Sequence, residues 1–234
     1  NLTGLDTHDN VGFLYSYFPE CNFFTSYERY ERHISKNSKS IDYLVICSPN
    51  YLHDTHSRLG LNNKINIICE KPLVINYKNL ELLKKIELEN KKKINCILQL
   101  RLHKETKKLI KNKKNIKLID ITYISPRGKW YFTSWKGDPK KSGGIETNIG
   151  IHLFDLLFYI FGNYEELKVF YRTEKTSSGF FRFGNTKVRW FLSIDKNQLD
   201  YIDKKAKNLR EFKVNSKKID FSESFNDLHQ ESYK

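Results

Sequence analysis

Over the first 98 residues, short apolar runs alternate with amphipathic stretches. The runs LTGLD, NFF, YLVIC, NIIC and NCILQL have the length of strands and are bounded by turn residues. Between them lie helical patterns. The clearest, Asn76–Asn90 (NYKNLELLKKIELEN), repeats leucine and isoleucine at three- and four-residue spacing, which gathers them on one helix face. Strands alternating with helices predict βαβ units on a parallel sheet, so residues 1–98 read as a Rossmann-type nucleotide-binding domain.

After Gln99 the rhythm changes. A helix from His103 to Lys111, a strand from Ile116 to Ile124 and a helix from Ile149 to Phe161 precede five strand-like runs: LKVFYRT, GFFRFG, TKVRWFLSI, REFKVN and KKIDF. Turn residues such as SSG, GN and NS join them. Consecutive strands favour a mainly antiparallel, open sheet with helices on one face. The predicted fold class is therefore α/β: a Rossmann-type parallel sheet over 1–98, then an α+β domain with an open, mainly antiparallel sheet over 99–234.

Composition narrows the function classes. The apolar stretch LFDLLFYIFG is interrupted by Asp155 and falls short of the roughly 20 residues of a membrane span, so no membrane partner is expected. No charged segment followed by an apolar one opens the sequence, which predicts a cytoplasmic location. Cys21, Cys47, Cys69 and Cys96 lie far apart, the last three in runs that read as buried strands. Neither zinc-site spacing nor a secreted disulfide pattern is visible, which argues for a reducing compartment and against a metal site. A formal charge of +14 admits a nucleic-acid partner, yet the lysines of KKKINC and HKETKKLIKNKKNIK alternate with leucine and isoleucine as on solvated faces. No nucleic-acid-binding motif accompanies them, so no nucleic acid is expected, and the surplus suits attraction of a multiply charged anion. The chain has no methionine and opens on NLTGLD, which reads as a piece of a longer polypeptide.

Several polar residues follow predicted strands, where ligands bind in open α/β sheets. Asp6 ends the first run and Asp9 follows it; an acid there accepts ribose hydroxyls, and a turn or helix cap is the simpler role. The phosphate-binding GxGxxG is absent. CSPNYLH sets Ser48, Asn50 and His53 after a buried strand, and CEKPL sets Glu70 and Lys71 after the next. A lysine at such a mouth adds positive charge beside a reacting hydroxyl and lowers its pKa. SGGIETNIGIHLFD then places Gly143 and Gly144 before a helix start, with Asn148 and His152 four residues apart on one face. The glycines permit close backbone approach, and a lone histidine there is usually structural.

CSPNYLH, CEKPL, QLRLH and GGIETNIGIHLFD, in this order and spacing, resemble the Gfo/Idh/MocA family of nicotinamide-dependent sugar oxidoreductases. The resemblance covers essentially the whole chain. SPRGKWYFTSWKGDP, TNIGIHLFD and KVRWFLSID look like the family's UDP-N-acetyl-D-glucosaminuronate 3-dehydrogenases, the WlbA group. What the resemblance implies is an NAD-dependent enzyme that oxidises the sugar 3-hydroxyl to a 3-keto sugar, in synthesis of O-antigen and other lipopolysaccharide sugars. Further implications are NADH reoxidation by 2-oxoglutarate and a homo-oligomer, dimer or tetramer. Family members carry a first strand and glycine loop before the equivalent of NLTGLD, and further chain after DLHQESYK.

The resemblance assigns His152 as the base and Lys71 as the group that orients and polarises the oxygen. Many relatives carry Asp where this chain has Asn148, which cannot take up a proton and is expected to hydrogen-bond substrate. Asp155, three residues after His152, would orient it or serve packing. Gln99 and Arg101 are expected to face nicotinamide and substrate, or only to join the domains. Trp135 resembles a cofactor-contacting tryptophan, with core packing as its alternative. Arg127, Lys129 and Lys136 are candidates for the substrate's diphosphate or carboxylate. Another sugar or cyclitol dehydrogenase, and a non-catalytic remnant without the phosphate loop, are the other readings.

Overall fold

The protein is described from a computed structural model over residues 2–8, 14–222 and 225–233. It divides into two compact units: Asn1–Ile46, Asp54–Cys69 and Lys78–Asn95 form the first, and Cys47–His53, Glu70–Tyr77 and Cys96–Lys234 the second. A single cut near residue 98 therefore misses two loops, which belong with the second unit.

In the first unit, β1 (Thr3–Leu5) pairs in parallel with β2 (Asn22–Phe24), and α1 (Leu14–Tyr17) lies between them in sequence. After α2 (Tyr27–Asn37) come β3 (Tyr43–Ile46), α3 (His53–Asn62), β4 (Asn66–Cys69), α4 (Lys78–Asn90) and β5 (Ile94–Cys96). The sheet order is β3-β4-β5, with β3 parallel to β4. Burial alternates along β3 and β4, the period-two pattern of strands with one face covered. Gly60 lets α3 lie on that face, since a Cβ there would fall 2.3 Å from Ile67 Cδ1. Two expectations change: Cys47, past the end of β3, is exposed, and β5 stops before Gln99, which is buried and opens a 3₁₀ turn.

In the second unit's long segment, Cys96–Lys234, the first α-helix is α5 (Lys104–Lys111), whose N-cap His103 accepts the Glu105 amide. Then follow β6 (Leu118–Ile124), α6 (Lys129–Thr133), α7 (Pro139–Ser142) and α8 (Ile151–Phe161). Strands β7 (Glu166–Arg172), β8 (Thr176–Phe183) and β9 (Thr186–Ser193) precede α9 (Lys196–Ile202), β10 (Leu209–Val214), β11 (Lys217–Ile219) and α10 (Phe225–Ser232). The six-stranded sheet is ordered β11-β10-β6-β9-β8-β7. Its strand pairs are antiparallel except β6 with β9. The long segment between β6 and β9, which contains α8, supplies the crossover a parallel pair needs.

Helix α8 is fastened to this sheet by Leu156, Leu157 and Ile160, all buried with Val188, Trp190 and Leu192 of β9 in one core. Each fully buried aliphatic side chain contributes about 1.5–3 kcal/mol. Phe154 meets Trp190 and Phe181 edge-on, and Gly150 brings the helix start so close that a Cβ would sit 2.8 Å from Leu192 Cδ1. The site is thereby mounted on a rigid layer.

Candidate active site

The loops that leave β3 and β4 meet the start of α8. Asn50 is 5% exposed and donates from Nδ2 to the Ser142 carbonyl at 2.8 Å. Lys71, whose peptide to Pro72 is cis, donates from Nζ to the Asn148 carbonyl at 2.8 Å. Asn148 belongs to a π-turn, Glu146–Gly150, that runs into α8. Such turns recur at functional positions because the wider ring re-aims backbone groups. Ser177 of β8 donates to Glu146 at 2.7 Å and Arg172 of β7 pairs with it at 2.9 Å, which anchors the turn to the sheet.

The two glycines of the motif act through conformation. Gly143 and Gly144 have φ of 86° and 79°, left-handed values costly for other residues, and a Cβ at Gly143 would lie 2.7 Å from Thr147. Close approach is required at Gly143 and again at Gly150, whereas Gly144 has room for a Cβ.

Electrostatics distinguish Lys71 and His152. Burial lowers the Lys71 pKa; Glu70 opposes that, while the charges of Lys136 and Arg127 add to it. Burial, then the Lys71 charge and His229, push His152 down to about 3, and its Nδ1 is buried with no hydrogen-bond partner. The imidazole is neutral at pH 7 and keeps a lone pair for a proton. Lys71 thus offers a cation, and His152 a neutral acceptor, at one helix start.

The other expected residues fall into different places. His53 is 1% exposed, with Nδ1 2.7 Å from the Pro72 carbonyl and Nε2 2.7 Å from that of Ser48. It ties the two loops together and presents no nitrogen to a ligand, which corrects its expected cofactor role. Arg101 donates from Nε to Asp155 at 2.8 Å, adds a second contact from Nη2 and lies 5.1 Å over the Tyr159 ring. Arg101 is thus held by Asp155, whose contacts go to Arg101 and not to His152. Asp6 is exposed and accepts the His8 amide at 3.0 Å; Asp9 lies outside the described residues. Glu70 accepts the Lys71 amide at 3.3 Å, and Trp135 opens a 3₁₀ turn whose Lys136 ammonium lies 5.7 Å from its ring.

Sequence reasoning missed two members. Tyr131 is 5% exposed and accepts Asn148 Nδ2 at its hydroxyl, 3.1 Å away. His229 of α10 lies 3.3 Å from Gln99 Nε2, while Gln99 Oε1 is buried without a partner. An aromatic inside WYFTSW and a histidine in DLHQES carry no motif of their own.

A parallel α/β unit, and a mixed sheet whose helix start holds a lysine–histidine pair, define a two-domain oxidoreductase. Residues 18–98 match the family model described as "Oxidoreductase family, NAD-binding Rossmann fold", and residues 107–197 match "Oxidoreductase family, C-terminal alpha/beta domain". The WlbA (WbpB) dehydrogenase from Thermus thermophilus, solved in complex with NAD and α-ketoglutarate, is 38% identical with a TM-score of 0.91, over 99% of this chain and 78% of that chain. In complex with NAD and UDP-GlcNAcA its TM-score is 0.90, at the same identity and coverage. The chain belongs to the Gfo/Idh/MocA oxidoreductase family. Among curated relatives, the Escherichia coli (strain K12) uncharacterized oxidoreductase YgjR is 54% identical over 39 residues, 17% of this chain. Bacillus subtilis (strain 168) glucose-6-phosphate 3-dehydrogenase is 25% identical over 146 residues, 50% of this chain. The matches span only 12% and 36% of those two proteins.

Proposed function

We propose that this chain serves an NAD-dependent dehydrogenase that oxidises the 3-hydroxyl of UDP-N-acetyl-D-glucosaminuronate, in surface polysaccharide synthesis. The observation that carries the reading is the pairing of Lys71, held by the Asn148 carbonyl, with a neutral His152 whose buried Nδ1 has no partner. A hydroxyl between them would be polarised by the ammonium and lose its proton to the imidazole as the carbon gives up hydride. Bound NAD supplies the hydride acceptor. The residues present suit that group, since Gln99 keeps a buried acceptor oxygen unpartnered. Ser48, Asn50, Glu70 and Trp135 are assigned to the cofactor side and Asn148 to the substrate side. NADH recycling by 2-oxoglutarate draws support from the α-ketoglutarate complex of the Thermus thermophilus protein.

A homo-oligomer and a cytoplasmic location complete the reading. Leu167, Val169, Phe170 and Tyr171 of β7 are exposed, an apolar edge suited to a second copy. Among the described residues no helix is long and apolar enough to cross a membrane.

The test mixes the protein with NAD, UDP-N-acetyl-D-glucosaminuronate and 2-oxoglutarate and follows 2-hydroxyglutarate. Sugar-dependent product, reduced roughly 10²–10⁴-fold in Lys71→Met and in His152→Gln, is expected. Turnover of glucose 6-phosphate in place of the UDP-sugar would instead favour the second reading, motivated by the Bacillus subtilis relative. No turnover of either sugar keeps the family and sinks both substrate assignments.

A further inference from the structure

The end of the six-stranded sheet remote from the π-turn gathers lysines. Lys187 comes five residues before Leu192, the β9 residue that Gly150 approaches, which is about 16 Å along the strand. Its amide donates to the Lys117 carbonyl at 2.9 Å. The Asn215 side chain accepts the Lys117 and Leu118 amides at 2.9 Å and 3.1 Å and donates to the Asn115 carbonyl at 2.9 Å. That clamp brings the turn before Lys217 to the same place. Lys113 and Lys114 belong to the 3₁₀ turn that leads into β6, and Lys111 ends α5 just before it.

Lys111, Lys113, Lys114, Lys117, Lys187 and Lys217 are all exposed, and none makes an ion pair among the described residues. The acids of the adjoining elements are already taken: Glu105 by Lys108, Asp120 by Arg189, and Glu211 by Lys213 and Lys218. Beside Lys113 and Lys114 runs a groove of about 440 Å³. Its floor is apolar, with Ile116 and Phe183 buried and the Phe161 ring 5.5 Å from that of Phe183. Glu165, the acid in its lining, is paired with Arg182.

We propose that this strand end is a docking surface for an acidic polypeptide segment with one bulky apolar residue, whose carboxylates meet the lysines while the apolar side chain enters the groove. The uncompensated charge selects an anionic partner. Lysines without an arginine among them attract diffusely and lack the planar forks that grip phosphates. The rings beside them, Phe161 and Phe183, line the groove instead of forming an open platform on which bases stack. An anionic bilayer would meet the lysines but leave the groove empty. The proposal depends on neither the sugar nor the cofactor.

The test titrates the full chain into a fluorescein-labelled peptide of glutamates around a single phenylalanine and follows anisotropy at low ionic strength. The companion probes are the same peptide with serine for phenylalanine, a DNA duplex and phosphatidylserine vesicles. The phenylalanine peptide is expected to bind roughly threefold or more tightly than the serine peptide. Lys113→Glu with Lys114→Glu should weaken it roughly tenfold or more. Lys36→Glu with Lys39→Glu makes the same charge change at exposed positions of the first unit and should weaken it less than about threefold. Both double variants should unfold at the wild-type urea midpoint, which guards against a folding defect. Equal weakening by the two pairs would reduce the effect to net charge and overturn the proposal. So would equal binding of the two peptides, or no binding of either. Tighter binding of DNA or vesicles than of the phenylalanine peptide would give the surface to another polyanion and overturn it as well.

Discussion

Replacing His152 by Gln removes one titrating group, and the structure sets the size of the effect. The folded pKa is about 3 against an ordinary 6.5, so between those values the unfolded chain binds one proton more than the folded chain. Stability therefore rises with pH across that window and is lost as the pH falls. From pH 7.5 to pH 5 the wild-type loss from this group is about 2 kcal/mol, and the ceiling below pH 3 is about 5 kcal/mol at 1.36 kcal/mol per unit. Burial is the first cause of the low value, with the Lys71 charge and His229 adding to it. Urea unfolding followed by tryptophan fluorescence suits the measurement, since Trp130, Trp135 and Trp190 all lie in the unit that holds His152. Carboxylates that titrate in both proteins cancel in the difference. The stability of H152Q relative to wild type should grow by about 2 kcal/mol between pH 7.5 and pH 5. Curves that stay parallel within about 0.5 kcal/mol would refute the claim that this imidazole is kept neutral by its surroundings.

Other outcomes follow from single contacts. Gly179→Ala would press a Cβ to 2.4 Å from both the Lys168 carbonyl and the Trp190 ring, so chemical denaturation should show a loss of about 1–3 kcal/mol. Leu157→Ala, at a fully buried position of α8, should cost about 2–5 kcal/mol by the same assay. Arg101→Ala strips the cation from Asp155, whose side chain is 11% exposed, and should cost about 1–3 kcal/mol, with Arg101→Lys recovering only part. Gly143→Ala should impair turnover more than stability, because the left-handed turn that delivers Asn148 to Lys71 must shift; a kcat equal to wild type would count against that.

Much of this architecture was legible because its signals are local. Period-two burial along TKVRWFLS and three-to-four spacing along KNLELLKKIELEN are properties of short windows, and both became the predicted elements. Lys71 and His152 were legible through the resemblance of the CEKP and GGxxxxxGxH segments. What sequence could not supply was which partner each polar group takes. His53 and Arg101 sit where ligand contacts are expected, but backbone carbonyls claim one and Asp155 the other. The π-turn escaped because its apolar spacing is that of an ordinary helix. Tyr131 and His229 reach the site through tertiary packing from elements too short or too far along the chain to carry a pattern.

The chain passes from one compact unit to the other five times, after residues 46, 53, 69, 77 and 95. Lys71 is thus encoded amid the strands and helices of the nucleotide-binding half but is structurally a member of the half that holds His152. Recombination that exchanged the two halves at residue 98 would take Lys71, Asn50 and His53 away with the wrong parent. The halves are inherited as one unit of chemistry, and shuffling between relatives can succeed only where the incoming half brings loops that fit the resident helix start.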